Sequence, residues 1–215
     1  MYDRILDAAE QLLGRLGYQK MTMDDIAAEA HISRRTIYLH FSGKEEVALA
    51  TIDRIVARLI VRLREHAEAD APWDERLRRM LLERVLFRFD SVRGYYHGID
   101  EIFRSLRAAY MERRARYFEE EAKVFAAVLA SAAVSGSPAR RKPELWAESL
   151  LLATNALLPS ALSPRELGER SKVEAQASRI VELVIGGLSP ILRSSTSRPR
   201  RGTKAVKSTA RKVRL

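Results

Sequence analysis

The 215-residue sequence predicts an all-α protein. Three observations carry that reading. Apolar residues recur at spacings of three and four along most of the chain, the period of a helix with one face turned inward. No stretch alternates apolar and polar residues as a half-buried strand does. Breaks rich in glycine, proline and serine fall at helix-length intervals: Gly17, Ser42-Gly43, Ala71-Pro72, Ser135 to Pro138, Pro159 and Ser163-Pro164.

Residues 2–16 form the first helix, with Ile5, Ala8, Ala9, Leu12, Leu13 and Leu16 on one stripe and Gly17 as its stop. Thr22 caps a second helix that runs to Ala30. Asp24 and Asp25 sit in its first turn, where carboxylates suit the positive helix end. His31-Ile32 is a tight turn. Ser33 caps a third helix reaching Phe41, with Ile37 and Phe41 inward and Arg34 and Arg35 at its exposed start. No acid lies between Ile32 and Lys44. Two short helices, with arginines on the positive end of the second, follow helix-turn-helix logic, in which the second helix reads a DNA groove.

The stretch from 1 to about 50 is similar to the DNA-binding domain of the TetR family of bacterial transcriptional regulators. The matching residues are Ile5, Ala8 and Ala9, Gly17-Tyr18, Thr22 with Asp25-Ile26-Ala27, then Ser33, Thr36-Ile37-Tyr38, His40-Phe41 and Lys44-Glu45. The family usually has Gly at the turn between the helices, where this chain has His31. A left-handed residue there is less comfortable without Gly, although His tolerates it better than a β-branched residue. The resemblance implies a three-helix helix-turn-helix head joined to an α-helical ligand-binding and dimerisation body. It also implies that Thr36, Tyr38, His40 and Lys44 hold the phosphate backbone, and the two capping residues Thr22 and Ser33 are further DNA-binding candidates. Arg34 or Arg35 can make a bidentate contact to guanine, and the sequence leaves open which.

Lys44 opens a long helix to about Ala69, with Val47, Leu49, Ile52, Ile55, Val56, Leu59, Ile60 and Leu63 on its apolar side. Residues 73–92 are helical again. Gly94 and Gly98 interrupt the chain around Tyr95, Tyr96 and His97. Residues 100–134 form another long helix, on which Glu119-Glu120-Glu121 reads as a solvated face. Ser135 to Pro143 reads as a surface loop, 144–158 as an apolar helix stopped by Pro159, and 172–188 as the last helix.

The final two helices are more apolar than one buried face requires. In the family such a pair makes a four-helix dimer interface, here assigned to Trp146, Leu150, Ala153, Ala156, Leu157, Val181, Val184 and Leu188. A small-molecule effector is expected at Tyr95, Tyr96, His97, Tyr110 and Asn155. With few buried charges in the sequence pattern, the expected effector is apolar or aromatic.

The formal net charge is +10, but eight of the 38 basic residues lie between Ser194 and Leu215 with no acid, leaving 30 against 28 acids. Residues 1–45 hold six basic and seven acidic residues. DNA reading therefore rests on where the head's charges sit. The organisation expected is a head over 1–46, a body over 47–193 and a disordered basic tail over 194–215. No cysteine is present. No apolar run approaches a membrane span, and the charged, helical start is unlike a signal peptide. Four histidines without ligand spacing, and the lack of a phosphate-cradling loop or nucleophile elbow, argue against an enzyme, a metal site or a cofactor.

The resemblance thus implies a cytoplasmic, homodimeric repressor that binds a pseudo-palindromic operator in double-stranded DNA and is released by its effector. The alternative is a ligand-independent, architectural DNA-binding protein dominated by its basic tail.

Overall fold

The computed structural model describes residues 1–93, 104–167 and 169–193, and among them every regular element is helical. Gly94, Tyr95, Tyr96, His97, Gly98 and the basic tail lie outside the described residues.

Helix α1 spans Tyr2–Lys20, broken at Gly17, whose φ of 75° and ψ of 169° end the regular helix where the sequence predicts. Helix α2 spans Met23–Glu29. Its start is a reciprocal capping box: the Asp25 amide donates to the Thr22 hydroxyl at 3.1 Å, and the Thr22 amide donates to the Asp25 carboxylate at 2.9 Å. Helix α3 covers only Arg34–Tyr38, shorter than the predicted run to Phe41. The amides of Leu39 and His40 donate to carbonyls three residues back, so the last turn tightens and the helix stops. His31 between α2 and α3 has φ 52°, left-handed backbone without a glycine.

Helix α4 spans Lys44–Glu68 and α5 spans Trp73–Val92. Helix α6 spans Arg107–Ala132. The surface loop predicted after it contains a helix, α7, over Pro138–Arg141, because the Ser137 hydroxyl caps Arg140 and Pro138 pre-sets the first turn. Helix α8, Pro143–Thr154, ends four residues earlier than predicted and tightens into a 3-10 turn over Asn155–Leu157. The stretch read as merely polar holds α9, Pro164–Leu167, and α10 runs Arg170–Arg193, continuing through Pro190.

Two cores share α4. The first joins α1, α2 and α3 and includes Val47, Ala48, Leu49 and Ala50 from α4, with Leu106 before α6. The second joins Val56, Leu59, Ile60 and Leu63 to α5, α6, α8 and α10. A smaller cluster, with Phe89, Leu157, Leu162 and Val173, closes the α9 end of the body.

Candidate DNA-reading head and body cavity

The exposed start of α3 is built by its caps. The Thr36 amide donates to the Ser33 hydroxyl at 3.0 Å, and the two hydroxyls lie 2.8 Å apart. Arg34 and Arg35 then project from the first turn, both exposed. Arg34 donates to Asp24 of α2 at 3.0 Å and to the Tyr38 hydroxyl at 3.2 Å. Arg35 has no hydrogen bond or ion pair among the described residues. Tyr38 and Leu39 are 46% and 75% exposed, so the end of α3 also faces solvent, while Ile37 between them and the arginines is buried in the head core. His40 is exposed and meets Tyr2 edge-on, while Tyr2 stacks on Phe41 with ring centroids 4.9 Å apart. Tyr2 was not among the predicted contacts. An aromatic ahead of a helix's apolar stripe is the only sequence signal for it.

Two predicted phosphate holders are otherwise engaged. Lys44 donates to the carbonyls of Tyr18 and Gln19 at 3.0 and 3.2 Å and lies 4.6 Å from the Tyr18 ring centroid. The carbonyls at the end of α1 hold the ammonium beside the head, so a phosphate contact from Lys44 would share its donors with them. The Thr22 hydroxyl is likewise held in the capping box, where its bond keeps the Asp25 carboxyl below its ordinary range.

In the body, a cavity of about 70 Å³ lies between α4, α5 and α6, with Leu13 of α1 and the 155–160 segment completing its wall. Predicted residues Tyr110 and Asn155 both line it. The sequence did not suggest what sits beside them. Arg84 of α5 is 1% exposed and donates to Glu121 of α6 at 2.6 Å, to the Leu151 carbonyl at 3.1 Å, to Thr154 at 2.6 Å and to Asn155 at 2.7 Å. It therefore caps the C-terminus of α8. Arg88 also grips Glu121, with one bond at 3.1 Å. Burial pushes Arg84 down to about 10, leaving it cationic at neutral pH. Glu121 is buried too, but Arg88 and then Arg84 hold its carboxyl below the usual range.

Glu121 is thus no solvated residue; it is 1% exposed. The expectation of few buried charges is overturned at the same place. The available signal was periodic: Glu121 falls four residues from both Tyr117 and Phe125 on a buried stripe, and Arg84 falls between Leu81 and Val85.

A second cluster joins the cavity wall to the head. Arg113 of α6 donates to Glu46 at 2.8 and 2.9 Å and also pairs with Asp53, whose other oxygen accepts from the Tyr117 hydroxyl. Burial, then the Asp53 bond, pushes the Tyr117 phenol well up. Glu46 lies in the first turn of α4 and Tyr117 lines the cavity. No group of three metal-ligating side chains occurs, and no helix is long and apolar enough to cross a membrane, among the described residues.

The predicted interface residues divide. Leu150, Leu157, Val181 and Leu188 are at most 6% exposed and belong to the chain's own cores, so they are corrected to core residues. Trp146, Ala153 and Val184 are half-buried, and Ala156 is exposed. The outward stripe of the same helices is one position off. It holds Leu145, Leu152 and Leu183 at 53%, 61% and 77% exposure, with open space beside Gly186 and Gly187.

The sequence profile described as "Bacterial regulatory proteins, tetR family" matches residues 5–51. The chain is 30% identical over 76 residues to the fatty acid metabolism regulator protein of Bacillus subtilis, covering 35% of this chain and 39% of that protein. It is 40% identical over 70 residues to the HTH-type transcriptional regulator EthR of Mycobacterium tuberculosis, covering 33% of this chain and 32% of that one. These matches span little more than a third of either relative. The fold as a whole is similar to the crystal structure of the transcriptional regulator FadR from Bacillus subtilis in complex with stearoyl-CoA. That likeness has a TM-score of 0.56 at 17% identity, over 87% of this chain and 99% of that one.

Proposed function

We propose that this chain, whose residues 5–51 match the family model of bacterial regulatory proteins of the tetR family, is a sequence-specific DNA-binding transcriptional regulator. It acts as a homodimeric repressor in the cytoplasm, on a pseudo-palindromic operator, and a small molecule in the body cavity releases it. The head over residues 1–46 reads DNA, the body over 47–193 senses and pairs, and the tail over 194–215 follows phosphate.

One observation carries this reading: the positive start of α3 presents two exposed arginines from a three-helix core in which Thr22 and Ser33 cap α2 and α3. Arg35, without an internal partner, is the base reader. Arg34, tied to Asp24 and Tyr38, is the weaker candidate. The remaining head contacts, from Ser33, Thr36, Tyr38 and His40, go to the backbone. Dimerisation uses the exposed stripe of Leu152, Ala156 and Leu183.

Selection of genomic DNA fragments on the full chain, followed by footprinting, tests the reading. A short inverted repeat protected on one face of the duplex is expected. Enrichment without any shared sequence would instead favour the tail-dominated, architectural role, for which the eight acid-free cations of residues 194–215 speak.

A further inference from the structure

We propose that the body cavity binds an organic carboxylate with an extended apolar tail, its anionic end at Arg88 and Arg114 and its tail running between α4 and α6 toward Leu13. This rests on reading the chain as an effector-responsive regulator and names the class of effector.

Among the described residues the cavity wall carries three arginines, Arg84, Arg88 and Arg114, against one carboxylate, Glu121. Arg84 is consumed by the fold: Glu121, Leu151, Thr154 and Asn155 take its donors. Among the described residues the Arg88 side chain is bound to Glu121 alone. Arg114 has no hydrogen bond or ion pair among the described residues. Two guanidinium groups with spare donors therefore face one half-buried space, where a carboxylate offers bidentate, charge-assisted bonds. A neutral ligand leaves the excess positive charge uncompensated, and a cation adds to it. Beyond this end the wall is apolar, with Leu13, Ala48, Ile52, Ile55 and Phe118. A narrow cavity of about 70 Å³ suits one small anionic group better than a polyphosphate.

The tail's length follows from the helix. Glu121 and Tyr110 both line the cavity, and eleven residues of helix rise about 16 Å. An extended chain advances ~1.2 Å per bond, so a tail of roughly twelve carbons spans the wall. Ligand pockets for such molecules are typically several hundred Å³, so the tail must part α4 from α6. Those are the helices tied by Arg113, Asp53 and Tyr117. At its far end the tail meets Leu13, a residue of the head core. Shorter carboxylates occupy the charged end without reaching it.

Titration calorimetry on the full chain without DNA tests this, using dodecanoate, octanoate, 1-dodecanol and dodecyltrimethylammonium below their micellar concentrations. Dodecanoate is expected to bind roughly tenfold or more tighter than dodecanol, and the ammonium not at all. Arg88→Gln and Arg114→Gln should each remove most of that preference. The Arg114 side chain makes no bond among the described residues, so its variant reports even if Arg88→Gln fails to fold. Equal binding of acid and alcohol, or a preference that survives in the folded Arg114→Gln chain, overturns the proposal. Fragment selection without ligand separates the two readings. Selective DNA binding with no carboxylate preference sinks only the ligand class. Carboxylate binding without selective DNA binding sinks the regulator reading and leaves the ligand class standing.

Discussion

The guanidinium of Arg34 lies 3.0 Å from the Asp24 carboxylate of the preceding helix, while its neighbour Arg35 has no partner among the described residues. The two arginines are therefore unequal before DNA arrives. Arg35→Ala should cost roughly 1–3 kcal/mol of discrimination at one base pair. Arg34→Ala should cost less, and Asp24→Asn should tighten binding to all sequences. Competition with singly substituted operators measures each. Equal losses from both arginines would mean that the Asp24 pair opens freely on DNA.

His31 holds φ 52° where the family usually has Gly. Left-handed backbone costs an L-residue about 1–2 kcal/mol, partly offset by the greater unfolded freedom of glycine. His31→Gly should therefore stabilise the chain by up to about 1 kcal/mol in urea unfolding. A loss of stability would show that the His31 side chain makes a contribution larger than the strain.

Leu183 is 77% exposed on α10, whereas Leu150 on α8 is 4% exposed. Leu183→Glu should leave helicity and melting nearly unchanged yet give a monomer by light scattering. Leu150→Glu should unfold the chain, because an unpaired charge would enter the core. A Leu183→Glu chain that stays dimeric moves the interface off this stripe.

Arg88 and Arg84 hold the Glu121 carboxyl below its ordinary value despite burial. A carboxyl depressed in the folded state adds stability that is present above the unfolded value, about 4.3, and is lost as pH falls toward the folded value. Acid unfolding followed by circular dichroism should therefore steepen below about pH 4.3. Glu121→Gln should start less stable at pH 7 and lose less over that range. A variant curve parallel to the wild type would remove Glu121 from the acid transition.

The eight tail cations make a salt prediction. Each neutralised phosphate adds about −0.9 to the slope of log K against log salt. Deleting residues 194–215 should flatten that slope and weaken non-specific binding more than operator discrimination. An unchanged slope would give the tail a task other than contact with DNA.

The head was legible because its signals are local. Thr22 and Asp25 cap each other three residues apart, Gly17 breaks α1, and the pairs Ile26 and Ala30, and Ile37 and Phe41, are four residues apart and buried. The body's charge networks were not. Glu121 stands in a run of three glutamates, and only tertiary packing turns the third inward onto Arg84, 37 residues away in sequence. The dimer stripe failed for a related reason. On two apolar helices the sequence shows that two faces exist, but which one the chain's own core takes depends on helix rotation. That rotation left Leu183 outside and Val181 inside. The internal partners of Lys44 escaped notice because they are main-chain carbonyls, which carry no residue signature.

Helix α4 runs unbroken through both cores, and this sets a gear ratio. Asp53, which Arg113 clasps together with Glu46, lies nine residues from Lys44 and fifteen from Glu68. At 1.5 Å per residue those arms are about 14 and 22 Å, so rocking at Asp53 moves the DNA end less than the far end. A 10° tilt would shift the start of α4 by only about 2.4 Å. In a two-headed assembly that is about 5 Å against the ~34 Å repeat of successive major grooves. In an effector-released regulator such reduction would trade travel for force, turning a coarse displacement deep in the body into a fine adjustment of pitch at the duplex.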